Sequence, residues 1–355
     1  VFLGLAALVS NQWNRAWIML GIAAALHALV GGWSIVVATF SWCWLRRDPD
    51  RPTLGKQKWA LLLGTLISLA GFVPAILLSL GVPTAMIQQA AQIQVFRRLP
   101  HHLNPGKFLF ELEPPYGIRF LLLLIGWLVL LRIQSSAIQN RRLTAFVLGT
   151  ILVAVLGIAV GVLTMGRPML SSLVLRFYWF RMADVFLPLG VTLTGLSLLA
   201  QARTAQRSWV PWALIVIAVL AVGDLGQLTW DRLTNPVPRA DRKIARNELE
   251  YQDWHDLCEF AKKQTPVDAV FLSPKDAHTF KWYADRAEVA TWKEMPQDAE
   301  SVVEWWDRIN QIHGSGGVWR QFSERTPQEL HNMAIRFHAD YLVTRADPVI
   351  DLPLI

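Results

Sequence analysis

Apolar and polar positions divide the chain into two kinds of text. From Val1 to about Trp230, apolar runs near the roughly 20 residues that a helix needs to cross a hydrocarbon core alternate with short basic segments. A run ending at Leu45 is followed by Trp59 to Leu80, Tyr116 to Leu131, Leu143 to Leu163, Leu173 to Ala200 and Trp209 to Trp230. These predict about six full spans. Val1 to Val9 reads as the end of a further span, and Ala16 to Leu26, only about 16 Å long as a helix, as a half-span that dips and returns. His27, Gly31 and Gly32 interrupt the run that reaches Leu45. Such breaks are tolerated at membrane depth only where protein or a wet cavity covers them. His27 reads more readily as a histidine hydrogen-bonded between helices than as a ligand or proton carrier.

Beyond Trp230 the pattern changes. DRLTNPVPRADRK is polar and contains proline, as a linker does, and soluble-domain text begins near Asn247. Periodicity predicts helices over Tyr251–Lys263, Asp276–Tyr283 and Ala299–Ile312, and short strands over Ala269–Leu272, Glu288–Trp292 and Tyr341–Thr344. Thr326, Pro327 and Glu329 supply the cap, first-turn proline and capping-box acid of a last helix reaching about His338. Alternating strands and helices predict a mostly parallel sheet. The expected fold is therefore a polytopic α-helical membrane protein with a small C-terminal α/β extracytoplasmic domain. Its parts are a transmembrane region over 1–231, a linker over 232–246 and a soluble domain over 247–355.

Composition agrees, at 53% hydrophobic and 17% charged over 355 residues. The net charge of +7 does not signal nucleic acid, because the basic residues gather between spans in the positive-inside pattern. Arg46, Arg47, Arg51, Lys56 and Lys58 place one loop in the cytoplasm; Arg132, Arg141 and Arg142 mark a second, Arg203 and Arg207 a third. Parity then puts the C-terminal domain and the loop between Leu80 and Tyr116 outside. Two cysteines make no disulfide framework. The chain opens inside an apolar run with no initiator Met, basic n-region or cleavage site, and reads as a piece of a longer protein.

Candidate chemistry centres on Leu173 to Ala200, where Arg176, Arg181 and Asp184 interrupt an apolar run ahead of Pro188. On one continuous helix Asp184 falls about 60° from Arg181 and about 80° from Arg176. Two readings stand: an intramembrane cluster facing a cavity, or arginines snorkelling to headgroups. The outer loop is the other candidate. Its first part reads as an amphipathic surface helix with Arg97 and Arg98 near phosphates. His101 and His102 are adjacent and should point apart, which argues against a shared metal. Arg97, Arg98, His101, His102 and Lys107 suit donation to phosphate or sugar, with Glu111 and Glu113 as acceptors, and a merely solvated interfacial loop is the competing reading.

GxSxG, HExxH, Walker A and in-context Rossmann glycine signatures are absent. Gly314, Gly316 and Gly317 follow a helix rather than a strand, which speaks against a phosphate cradle. Trp254, Trp282, Trp292, Trp305, Trp306 and Trp319 crowd the C-terminal domain, where tryptophan packs a core, stacks on sugar or anchors at a lipid interface.

ALHALVGGWS, FRRLPHHLNP, RFYWFRMADVFLPLG, DAVFLSPKDAHTFKWYADRAEVATWKEMP and ADYLVT resemble a group of bacterial multi-spanning membrane proteins with an uncharacterised C-terminal domain. Their layout is similar to that of the GT-C glycosyltransferases. The resemblance implies a bacterial inner-membrane protein that transfers sugar from a polyprenyl-phosphate donor to an outward-facing acceptor. Arg176 and Arg181 would hold donor phosphate, oriented by Asp184. GT-C catalytic acids lie in a first outer loop upstream of this sequence, so no catalytic residue carries over, and a divalent metal would enter only through that upstream part. The rival expectations are a non-catalytic scaffold or envelope-assembly protein whose outer domain binds glycan or protein, and a transporter. The last lacks the internal repeat it needs.

Overall fold

The computed structural model describes residues 1–111, 116–133, 138–315, 318–345, 347 and 349–353. The chain forms two compact units, Val1–Pro211 and Trp212–Ile355. In the first, α1 (Phe2–Val9), α2 (Trp13–Leu26), α3 (Ala28–Trp44) and α4 (Leu54–Leu77) are followed by α5 (Thr84–Gln92) and α6 (Pro100–Leu103). Then come α7 (Tyr116–Ile133), α8 (Ile138–Leu163), α9 (Pro168–Leu175) and α10 (Arg181–Thr204), and α11 (Val210–Thr234) runs across the boundary between the units. Among the described residues, five helices are long and apolar enough to cross a membrane: α4, α7, α10, α8 from Arg141 and α11 from Pro211. The protein is a multi-pass membrane protein. The run ending at Leu45 is the 17-residue α3, shorter than the others.

Leu173 to Ala200 is not one helix, contrary to the expectation. α9 ends at Leu175, Tyr178 takes a left-handed φ of 55°, and α10 starts only at Arg181, continuing through Pro188 to Thr204. The angular relation of Arg176 to Asp184 on a common helix therefore does not apply. The expected half-span is the 14-residue α2, which packs against α1, α3 and α4. Its contact with α4 is made backbone to backbone: a Cβ on Gly21 would lie 2.3 Å from the Gly64 carbonyl oxygen, and one on Gly64 2.6 Å from that of Trp17. The Trp17 indole, buried at this seam, donates to Gln57 Oε1 at 2.6 Å. Trp13, Leu20, Trp127, Phe146 and Leu187 complete a fully buried core.

Arg142, expected as a loop cation, is 4% exposed and meets Asp48, itself 6% exposed, at 3.1 Å. It also donates to the Val9 carbonyl at 3.5 Å, so one guanidinium ties the end of α1 and the α3–α4 loop to α8. Arg51 lies over the Trp42 ring at 3.9 Å and donates to the Trp42 carbonyl, ordering the same loop.

The second unit contains α12 (Glu248–Gln264), β1 (Val270–Leu272), α13 (Phe280–Ala284), β2 (Ala287–Glu288), α14 (Ala299–His313), α15 (Pro327–Phe337) and β3 (Tyr341–Leu342). The strands pair in parallel in the order β2-β1-β3, so the parallel sheet is as expected, with shorter strands. The capping box of Thr326 and Glu329 forms at α15. Residues 232–246, expected as a linker, contribute buried Val237, Asp241 and Ala245, and Arg242 pairs with Asp231 at 3.1 Å. Buried Arg286 caps the end of α12 by donating to the Lys262 and Thr265 carbonyls at 2.5 and 2.7 Å.

Because the Gly21–Gly64 contact involves main-chain atoms that cannot step aside, Gly21→Ala and Gly64→Ala should each destabilise the purified protein by about 1–3 kcal/mol. Gly126→Ala, into open space on α7, should be neutral or stabilising by up to about 1 kcal/mol. Thermal midpoints in lipid nanodiscs read the difference, and equal effects at the three positions would contradict the close approach.

Candidate functional site

The break between α9 and α10 is held by two indoles. Trp33 Nε1 donates to the Phe177 carbonyl at 2.6 Å, and Trp179 Nε1 donates to that of Val174 at 2.8 Å. Their rings pack against each other, tilted by 50°, with centroids 4.7 Å apart. The Arg181 N–H then closes the turn on the Tyr178 carbonyl at 3.1 Å, setting Tyr178 and Arg181 at the mouth of α10.

The stretch between α4 and α7, expected as an outer loop, meets this break. After α5 the helix widens into a π-helical segment, Ile93–Arg98, followed by the single turn of α6. Gln94 hydrogen-bonds to Tyr178, which also lies within electrostatic range of Arg98 and Arg181. His102 in turn feels His101, Arg181 and Arg98, and Asp184 feels Arg181. Residues from two separate stretches, Arg98, His101 and His102 on one side and Arg181 and Asp184 on the other, thus share one neighbourhood. The histidine rings do not point apart as expected, their centroids being 4.2 Å from each other.

Other expected members lie elsewhere. Arg176, at the end of α9, rests on the Phe177 ring at 5.3 Å. Arg97 is exposed, and Lys107 pairs with Glu111 within one turn. Glu113 lies outside the described residues, as do Gly316 and Gly317. His27 is an exposed helix cap, not a bridge between helices: its Nδ1 accepts the Val30 N–H at 3.4 Å.

Burial, and then the neighbouring cations, lower the proton affinity of both imidazoles. They are neutral at pH 7, and Arg98 and Arg181 carry the permanent positive charge against Asp184. Burial pushes the Tyr178 phenol up, so it keeps its proton as a donor. Two fixed cations with neutral directional donors form an arrangement suited to an oxyanion.

The second unit holds a cavity of about 780 Å³ that sequence reasoning missed. Pro274, Lys275 and Asp276, directly after β1, line it together with Val343, Thr344 and Arg345 after β3. In parallel sheets ligands sit at the carboxyl ends of strands where the strand order reverses, and β2-β1-β3 places that point between β1 and β3. Gly314, at φ 102°, ends α14 so that the Arg320 N–H returns to the His313 carbonyl at 2.7 Å and Trp319 joins the lining. Arg325 caps the same helix end through the Ile312 carbonyl at 2.7 Å. On the far side, buried Asp241 accepts from the Thr279 hydroxyl and from Tyr283 at 3.1 Å, while Trp254 donates to Thr279 at 3.0 Å. This chain of bonds fixes Lys243, Ile244 and Trp254 along the wall. The available signal was the Lys275–Asp276 pair at a predicted strand end. His255, Asp256 and Glu259 bring ligand atoms within 4.8 Å of one another, but all are exposed and Glu259 binds Lys263 at 2.6 Å.

These features define a multi-pass, mostly helical membrane protein carrying a small parallel α/β unit. Within that unit, residues 252–312, from α12 through nearly all of α14, match a family described as a domain of unknown function, DUF6798. No curated protein and no solved structure matches the chain.

Two buried groups of this unit titrate in opposite senses. His313 is held down to about 4, by burial first and then by the Lys275 and Arg325 cations. Glu288 is pushed up to about 7, chiefly by burial. Unfolded, His313 takes its proton near 6.5, so its contribution falls as pH drops from 6.5 towards 4; unfolded Glu288 loses its proton near 4.5, so its contribution falls as pH rises from 4.5 to 7. Relative to the unaltered chain, His313→Gln should therefore remove a rise of stability with pH and Glu288→Gln a fall, each of on the order of 3 kcal/mol. Urea midpoints of the C-terminal unit across pH 4–7 check this, and parallel profiles for the two variants would refute it.

Proposed function

We propose that the membrane unit binds the phosphate of a lipid-linked sugar, and that this binding serves GT-C-like glycosyl transfer from a polyprenyl-phosphate donor to an outward-facing acceptor. The observation that carries the phosphate reading is the meeting of Arg98 and Arg181 around Tyr178, with neutral His101 and His102 beside them. A guanidinium stays charged when partly desolvated and matches a phosphate with paired donors, so two of them retain a phosphate at any physiological pH. Asp184, one turn along α10, orients Arg181 and limits the net charge to what a phosphate monoester or diester neutralises. Helices long and apolar enough to cross a membrane provide a surface for the prenyl chain. The glycosyl-transfer half rests on the layout of the sequence, and with it goes the placement in a bacterial inner membrane with the C-terminal unit outside.

Arg181→Ala in the full-length protein should lower turnover of lipid-linked sugar by roughly 100-fold or more. Arg181→Lys should recover part of it, since charge returns without the paired donors. Arg176→Ala, at a guanidinium that rests on the Phe177 ring, should act normally. Normal turnover by Arg181→Ala would take the arginine, and the phosphate site with it, out of the mechanism.

A further inference from the structure

The cavity of the C-terminal unit has a lining whose chemistry specifies an occupant. Four cations border it: Lys243, Lys275, Arg320 and Arg345. Four carboxylates answer them: Glu250, Asp253, Asp276 and Asp347. A pocket so balanced offers little net attraction to an anion or a cation, yet presents many donors and acceptors side by side, which is what hydroxyl groups, each both donor and acceptor, can satisfy. An aromatic wall completes it. The Trp319 ring is half-buried at the cavity, with the Lys275 ammonium 4.3 Å from its centroid and the Trp292 ring set edge-on 5.2 Å away. Trp319 is therefore held firmly enough to serve as a stacking platform.

One buried group points to a missing ligand. His313 is 3% exposed and lines the cavity, and its Nε2 has no hydrogen-bond partner among the described residues. A buried polar atom left unpaired costs about 1–3 kcal/mol, and such atoms concentrate where something else supplies the partner. Burial keeps the ring neutral, so its Nε2 serves a hydroxyl in whichever sense the tautomer allows.

We propose that this cavity, at the carboxyl ends of β1 and β3, is a binding site for a short neutral oligosaccharide, which stacks on Trp319 and hydrogen-bonds to His313 Nε2 and the Asp276 carboxylate. The volume falls within the roughly 300–1,000 Å³ usual for small-ligand sites and has room for more than one sugar ring. The charged side chains around it orient hydroxyls rather than neutralise a ligand charge. The inference does not rest on the phosphate site of the membrane unit, since it draws on other residues and another chemistry.

The test is calorimetry on the full chain in a detergent without a sugar headgroup, titrated with maltotriose, chitotriose and mannotriose, and separately with inorganic phosphate and a neutral tripeptide. At least one trisaccharide should bind in the millimolar range or tighter. Trp319→Ala should weaken it roughly tenfold or more, and Trp282→Ala, an exposed tryptophan that does not line the cavity, should leave it unchanged. His313→Phe should lose affinity and His313→Gln recover it, because glutamine restores both a donor and an acceptor. If His313→Phe does not fold, the Trp319 comparison decides alone. The proposal is overturned if no trisaccharide binds, if Trp319→Ala binds as the unaltered chain does, or if phosphate or the tripeptide binds more tightly than every trisaccharide.

Discussion

The membrane unit depends on the hydrogen bond from the Trp33 indole to the Phe177 carbonyl. Where α9 stops and α10 has not begun, carbonyls have no helical partner. Trp33 and Trp179 provide the missing donors from inside the protein and pack against each other as they do so. The left-handed Tyr178 is the strained residue that these contacts hold in place. The indoles hold the turn through which α9 leads into Arg181, while α9 itself packs against the π-helical segment that carries Arg98. The neighbourhood of charges is thus a consequence of how a helix break is satisfied, and not of the periodicity of any one helix.

The C-terminal unit solves a similar problem with a carboxylate. Asp241 is fully buried, and an isolated buried carboxylate would be costly, but Thr279 and Tyr283 both donate to it and Trp254 supports Thr279 from behind. The bonds join the stretch after α11, α12 and α13 into a frame around a sheet whose strands are only two or three residues long. So short a sheet cannot order its own surroundings. Side-chain bonds and the capping of α12 by Arg286 and of α14 by Arg325 take over that task.

Local features of the fold were legible in the sequence, and long-range ones were not. The capping box at Thr326 depends on residues three apart, the apolar runs become helices at nearly the expected places, and the parallel order of the sheet follows from alternating elements. The break at Tyr178 left no trace, because a positive φ is normally signalled by glycine or asparagine and is here imposed by indoles, one of them more than 140 positions away. Arg142 looked like any positive-inside loop cation, and its partners Asp48, Asp50 and the Val9 carbonyl, distant in sequence, take it out of water. For the candidate sites, residue types in the loop between α4 and α7 and on α10 could be picked by charge, but their meeting could not be foreseen. His313 stood just past the end of the predicted amphipathic helix with nothing to distinguish it; its significance comes from the turn at Gly314 that buries it against the strand ends.

The two candidate sites illustrate opposite uses of charge. Around Tyr178 the cations outnumber the acid, and burial has neutralised the histidines, so the remaining charge sits on arginines that cannot give up a proton. Such a site gains most from a ligand bearing formal negative charge, and its attraction weakens as salt screens it. Around His313 the lining cations and carboxylates are equal in number, so the field largely cancels at a distance while each group keeps its directionality at contact. Affinity there must come from fit, stacking and the exchange of water for well-placed hydroxyls, which makes it modest, nearly independent of salt and demanding of shape. The excess and the balance arise from different side chains in separately packed units, so each can be altered by substitutions that touch none of the residues of the other.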